Sequence, residues 1–256
     1  MLAIERKNEI LDKLRAEQRV LVSDLAAYYR VTEETIRRDL DKLEKEGYAT
    51  KTYGGAILGN STKTDLSYTI RNKTNVEAKN QIAAIASRLI EDGDHLMLDD
   101  SSTSLYLAKK LKEKKNLTVI TNSVELVVEL SDVEGWTILL TGGRLKPESL
   151  ALVGDQTQQA LRRYHVDKAV MSCKGIDLES GVTDSSEFHS QTKQSMLRCA
   201  KTRILILDSS KFDKISFIDI APLDVFDTIV TNAAPGKAWL DYFAEHGIEC
   251  LYPGAK

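Results

Sequence analysis

Val31-Thr32-Glu33-Glu34-Thr35-Ile36-Arg37-Arg38-Asp39-Leu40-Asp41-Lys42-Leu43 decides how the N-terminal part of the chain folds. At about 100° per residue, Ile36, Leu40 and Leu43 share one stripe that must pack inward. Thr32 suits the N-cap, Glu33 and Glu34 occupy the first turn where the macrodipole favours acids, and Gly47 suits the stop. Upstream, Val22 to Tyr29 reads as a short helix with Ser23 as its N-cap, and Arg30-Val31 as the turn. Ile4, Ile10, Leu11 and Leu14 recur at helical spacing and predict a first helix over about residues 3–16. Downstream, Tyr48 to Tyr53 is rich in β-formers, and Gly54-Gly55 marks a tight turn or a close approach. Three helices followed by a strand pair have the layout of a winged helix-turn-helix, its two central helices at about 20–39.

The stripe leaves Glu34, Arg37, Arg38 and Asp41 on the opposite face of the third helix, flanked by Thr35 and Lys42. Two adjacent arginines there are placed for guanine edges or phosphates in a major groove. Thr32 and Thr35 suit phosphates or a thymine methyl, and Lys51 and Thr52 of the wing suit the adjacent backbone. Composition gives this reading no help. The chain carries 35 Lys and Arg against 38 Asp and Glu, and residues 1–58 hold 11 of each sign. The plain alternative is that Arg37 and Arg38 pair with Glu33, Glu34 or Asp41 along a solvated helix face.

At 256 residues the chain is long enough for two domains. The polar, Ser/Thr/Asn-rich stretch 59–75 reads as a linker between a head at 1–58 and a larger domain at 76–256. In the larger domain short apolar runs alternate with helical ones. Strands are expected at 95–98, 117–120, 136–140, 166–172, 203–207, 228–230 and 248–251, with helices at about 76–91, 103–113, 124–131, 154–163, 188–200 and 236–246. That alternation predicts an α/β domain with a mostly parallel sheet covered on both faces. Polar loops follow the strands and should converge at their carboxyl ends, where open parallel sheets bind ligands. They carry Asp99, Ser101, Ser102, Thr103, Asn122, Ser123, Gly142, Gly143, Lys174, Asp184, Glu187 and Lys211. Hydroxyls, amides, lysines and carboxylates together suit a small polyol bearing a phosphate. Each loop taken singly also reads as ordinary helix capping.

Cys173, Cys199 and Cys250 are odd in number and far apart, as expected of reduced thiols in a cytoplasmic protein. The N-terminus lacks the apolar region of a secretory signal, and no apolar run approaches the ~18–20 residues of a membrane span. The four histidines are scattered singly, and no metal, nucleotide-cofactor or nucleophile-elbow motif is present, so neither a metal nor a cofactor nor catalytic residues are expected. The rival reading is a sugar-phosphate isomerase with a fused head, in which Asp99, Asp177, Asp184 or Glu187 supplies a base and Lys174 polarises a carbonyl.

The run Thr35-Ile36-Arg37-Arg38-Asp39-Leu40, followed by Leu43 to Gly47 and Lys51-Thr52-Tyr53-Gly54-Gly55-Ala56, closely resembles the signature of the DeoR family of bacterial transcriptional regulators, a T-I-R-R-D-L helix with a wing ending in H-G-G-A. Tyr53 stands where the family has histidine; its hydroxyl can still donate to a phosphate, so the resemblance implies a wing contact there that differs in detail. Residues 76–256 resemble the family's sensor domain, itself similar to the ribose-5-phosphate isomerase-like fold. The matching positions include Leu98-Asp99, Thr121-Asn122-Ser123, Gly142-Gly143, Lys174 to Asp177, Gly181 to Glu187 and Asp208 to Phe212. Ser101-Ser102 stands where many members read G-T, and Glu77-Ala78-Lys79 also departs from the commoner run. The resemblance implies a regulator of sugar metabolism, usually a repressor, and because a single small head with no basic excess should bind DNA weakly, a homodimer or homotetramer is expected. The resemblance also implies double-stranded operator DNA and a phosphorylated sugar as partners. An activator, or a response to an unphosphorylated ligand, is left open.

Overall fold

The computed structural model describes residues 2–17, 19–45, 48–58 and 68–255, and divides into two compact units, Met1–Ser67 and Tyr68–Lys256. The first unit runs α1 (Ala3–Glu17), β1 (Arg19–Leu21), α2 (Val22–Tyr29), α3 (Glu33–Lys45), β2 (Ala49–Thr52) and β3 (Gly55–Leu58). Ile10 and Leu14 of α1, Leu25 of α2, and Ile36, Leu40 and Leu43 of α3 close into one core, capped by Val20, Ala49 and Ala56 from the strands. The α3 stripe read from the sequence is thus its buried face. Thr32 Oγ1 accepts from Thr35 N at 3.3 Å, as an N-cap should. Arg30 takes the left-handed conformation that ends α2, with φ +52°.

Ser23 is not the cap of α2. That helix starts at Val22 because β1 leads straight into it, and the Val22 N–H is satisfied by the Gly54 carbonyl at 2.9 Å. β1 itself was not expected; its three residues are too few for a periodicity to show. It pairs antiparallel with β3, which pairs antiparallel with β2 across the two-residue turn Tyr53-Gly54. The two glycines have separate reasons. Gly54 has φ +85°, and a Cβ on Gly55 would lie 2.1 Å from the Val20 carbonyl oxygen. Gly47 lies outside the described residues.

The second unit contains α4 (Tyr68–Lys73), α5 (Val76–Ala86), β4 (His95–Leu98), α6 (Ser102–Leu111), β5 (Thr118–Thr121), α7 (Val124–Leu130), β6 (Thr137–Leu140), β7 (Arg144–Lys146), β8 (Ala151–Val153), α8 (Asp155–Leu161), β9 (Val166–Met171), β10 (Gly175–Asp177), β11 (Gly181–Asp184), α9 (Glu187–Cys199), β12 (Ala200–Ile206), β13 (Ile218–Ala221), β14 (Thr228–Val230), α10 (Lys237–Glu245) and β15 (Glu249–Leu251). Seven strands form one sheet in the order β15-β14-β12-β9-β4-β5-β6, with every neighbouring pair parallel. Alternate residues feed opposite faces: Leu96, Leu98, Ile204 and Ile206 pack under α5, α6 and α7, whereas Met97, Leu205 and Ile229 pack under α8, α9 and α10.

From β4 the chain builds outward first through β5 and β6, then returns to place β9 on the other side of β4. The gap between the carboxyl ends of β4 and β9 is therefore the sheet's switch point, where open α/β sheets hold ligands. Two small antiparallel sheets, β7–β8 and β10–β11–β13, stand in the connections after β6, β9 and β12 and were not anticipated. Nor was α4: the stretch 59–75 read as linker is helical over Tyr68–Lys73, while 59–67 lie outside the described residues.

Candidate functional site

On the head, Thr32, Glu34, Arg37, Arg38, Lys51, Thr52 and Tyr53 are exposed and Thr35 half-buried. Arg37 pairs with Glu33 at 2.9 Å and Arg38 with Glu34 at 3.5 Å, both across one helical turn and both in solvent. The solvated pairing described above as the plain alternative is thus present in the unbound chain. It does not compete seriously with phosphate, because exposed i,i+4 pairs stabilise by only about 0.3–0.5 kcal/mol. Lys51 is drawn back onto Asp41, and its backbone N–H donates to Glu44 Oε1 at 2.9 Å, fastening β2 to α3. The hydrogen bond to Asp41 is the main reason the Lys51 ammonium is held more firmly protonated than usual. Tyr53 stands fully in solvent at the hairpin tip.

In the second unit, three carboxylates, a lysine and a histidine are buried together beside the switch point. Asp99, directly after β4, accepts from Ser104 Oγ at 2.5 Å, from Ser101 N at 3.2 Å and, across the gap, from Ser172 N at 3.0 Å. Lys193 of α9 bridges Asp184 Oδ2 at 2.5 Å and Asp99 Oδ2 at 3.5 Å. Asp100 accepts from Asn122 Nδ2 at 3.2 Å and faces His189 Nδ1 at 3.2 Å, and Lys146 Nζ lies 3.3 Å from His189 Nε2. Burial alone would raise the Asp100 carboxyl, but His189, Lys193 and Arg71 outweigh it and hold it below the ordinary carboxylate range. Burial and Lys193 act on Asp184 in the same opposed way, and Lys193 wins. Lys193 is itself held protonated, since Asp184, Asp99 and Asp100 overcome its desolvation.

Of the residues singled out in the sequence, Asp99, Ser101, Asn122 and Asp184 belong to this network. Ser102 and Thr103 open α6 beside it, each 5% exposed, and their hydroxyls make no hydrogen bond within the described residues. The buried Asn122 Oδ1 likewise has no partner there. Lys174 bears on Asp184 and Lys211 on Lys79 by charge. Ser123 is the N-cap of α7, accepting from Leu126 N at 3.2 Å. Gly142 gives its carbonyl to Thr157 Oγ1 at 2.7 Å, and Gly143 is required by packing, since its Cβ would sit 2.2 Å from Thr157 Oγ1 at φ +117°. Glu187 is exposed and meets Gln191 one turn on. Asp177 closes the β10–β11 turn by accepting from Ser180 N and Glu179 N at 2.9 and 3.1 Å, which uses it structurally. Cys173 is buried and its thiol pushed up to about 12, so it packs and does not react. Sequence reading missed Lys193, His189, Lys146 and Arg71. The two α9 residues sit at i and i+4, Lys193 above His189, in a helix whose polar face turns inward, and only the sheet's presence beneath it reveals that.

Residues 6–62 match the DeoR-like helix-turn-helix domain and residues 74–233 the DeoR C terminal sensor domain. The chain belongs to the DeoR family of transcriptional regulators. This DeoR-family protein is 39% identical to the HTH-type transcriptional repressor GlcR of Bacillus subtilis, over 96% of its own length and 95% of that protein's. It is 38% identical to the HTH-type transcriptional regulator YulB of the same organism, over 91% and 90% of the two chains. To the L-fucose operon activator of Haemophilus influenzae it is 31% identical, over 95% and 97%. These relatives are transcriptional regulators, and the chain, with both domains of the family, is a DNA-binding transcriptional regulator. Ribose 5-phosphate isomerase A of Methanocaldococcus jannaschii overlaps 54% of this chain and 55% of its own at 18% identity, with a TM-score of 0.40. No described helix is long and apolar enough to cross a membrane.

Proposed function

We propose that this DeoR-family protein represses a sugar-utilisation operon and is released from its operator by a phosphorylated sugar. The observation that carries the effector half is the pair Ser102 and Thr103, each 5% exposed, at the N-terminus of a ten-residue helix beside the switch point, close to a buried Asn122 Oδ1 without a partner among the described residues. Hydroxyls, first-turn N–H groups and the helix dipole all favour an anion there. Lys174, Lys211 and Arg71 supply positive charge around it. Asp99, Asp184 and the unpartnered Asn122 Oδ1 suit the hydroxyls of a sugar, because carboxylates and amide oxygens accept from O–H groups. The DNA half rests on Arg37 and Arg38 standing on the face of α3 opposite its core stripe.

A head with equal numbers of acids and bases gains little from nonspecific attraction to the duplex. We therefore place two or four chains on paired half-sites about 34 Å apart or a multiple of that. The effector binds more tightly to an assembly whose heads do not match that spacing, and so shifts the population off the operator.

A thermal-shift series with the full-length chain tests this reading, because a ligand that binds only the native state raises the melting temperature by mass action. A phosphorylated sugar should raise it while the same sugar without phosphate leaves it unmoved. If the unphosphorylated sugar works equally well, the anion site at α6 is wrong.

A further inference from the structure

The helix α4 is held by its backbone, and from two sides. Lys79 of α5, 5% exposed, donates to the Arg71 carbonyl and, at 2.6 Å, to the Thr74 carbonyl. Tyr106 of α6 donates its hydroxyl to the Asn72 carbonyl at 3.1 Å, and the side-chain Oδ1 of Asn72 is buried without a partner among the described residues. Carbonyls at the end of a helix find no N–H donors inside it, so the Lys79 ammonium and the Tyr106 hydroxyl replace the missing turn. A helix of six residues does not hold in water by itself. The helical state of α4 is therefore a property of α5 and α6.

Two further relationships connect this grip to the sensor site. Tyr106 lies one turn beyond Ser102 on the same helix, so α6 presents the anion-binding hydroxyls at its start and the α4 clasp a turn later. Arg71, from α4 itself, stands where its charge bears on both Asp100 and Lys79. Along the chain, α4 is the first element after 59–67, through which the head is joined to the sensor.

We infer that α4 is the element through which this regulator passes sensor occupancy to the head: an anion at the start of α6 draws on Arg71 and tightens the Tyr106 and Lys79 clasp on α4. This rests on the reading of Ser102 and Thr103 as the anion site. The device has the parts a coupling requires, one segment whose order both the ligand and the head's connection bias.

Amide hydrogen exchange of the full-length chain in inorganic phosphate, against chloride at equal ionic strength, tests it. Phosphate should slow exchange several-fold both at 101–105 and at 70–75. Tyr106→Phe keeps the ring and should keep the slowing at 101–105 while losing it at 70–75. Lys79→Gln, a second route to the same loss, serves if the first variant folds poorly. Slowing at 101–105 with none at 70–75 in the unaltered chain overturns the coupling and leaves the anion site standing. No change at either segment overturns both. Retention of the 70–75 response in both variants removes the clasp as its route.

Discussion

Arg6 Nε donates to Asp39 Oδ2 at 2.6 Å inside the head, so the helix that presents Arg37 and Arg38 to solvent carries its next residue, an aspartate, inward. The pair ties α1 to α3 and sets the rotation at which the two arginines face out. Asp39 thus belongs to the scaffold of the T-I-R-R-D-L stretch and not to its contacts.

Breaking such a pair from one side leaves a charge buried and unanswered. Asp39→Ala should destabilise the head by about 3–5 kcal/mol. Replacing both partners together, Arg6→Met with Asp39→Leu, should recover most of that, since no orphan charge remains. Urea unfolding of the three chains decides it; a loss under about 1 kcal/mol for Asp39→Ala would mean the pair is solvated in solution.

Arg37→Ala is the complementary case. Its pair with Glu33 is exposed on both sides, so stability should change by less than about 1 kcal/mol. Binding to an operator selected from random duplexes should nevertheless lose its specificity. Arg37→Lys should not restore it, because an ammonium cannot make the bidentate contact of a guanidinium. Footprints identical to those of the unaltered chain at physiological salt would place the reading of bases elsewhere.

How far the sequence discloses these features follows from how local their causes are. The α3 stripe and the seven parallel strands depend on apolar patterning within one segment, the helical spacing of Ile36, Leu40 and Leu43 or the unbroken run Leu96, Met97 and Leu98. Val22 as the first residue of α2 depends on the Gly54 carbonyl, more than thirty positions away in the chain, and no local capping rule anticipates it. The same holds at the sensor site. Asp99 and Ser101 are legible as a loop after a strand, whereas Lys193 and His189 enter the site from a helix whose inward face is polar. The amphipathic rule, apolar inward, points the wrong way there. Arg71 was hidden by the polar composition of its neighbours, because α4 owes its helix to Lys79 and Tyr106 and not to its own six residues.

Lys193 gives a pH dependence whose sign reverses on substitution. In the unaltered chain Asp100 and Asp184 titrate below their unfolded value of about 4, so the native state binds fewer protons than the unfolded one in acid. Their stabilisation is complete above that value and is lost as pH falls below it, through the depressed folded values. Lys193→Met leaves Asp99, Asp100 and Asp184 buried without the bridging cation, costing about 3–5 kcal/mol at neutral pH. The Asp184 carboxyl, which loses its principal cation, should then rise above the unfolded value, and the variant should be more stable at pH 5 than at pH 7. Melting temperatures measured across that range check it. Parallel profiles for the two chains would show that the cation is not what holds the carboxylates.

Thr103 separates a ligand-facing hydroxyl from a structural one. Thr103→Val preserves the shape of the side chain and removes a hydroxyl that bonds to nothing within the described residues, so folding stability should be unchanged or slightly raised. Were the hydroxyl part of the internal network, its loss would cost about 1–3 kcal/mol through the partner left behind. The thermal shift produced by a phosphorylated sugar should shrink in Thr103→Val and vanish when Ser102→Leu also fills the start of α6, while operator binding without effector stays intact. Those two results together, unchanged melting of the empty protein and a lost response, assign the hydroxyl to the effector. A variant that melts early yet answers the sugar normally assigns it to the fold, and the phosphate must then be sought nearer Lys174 and Lys211.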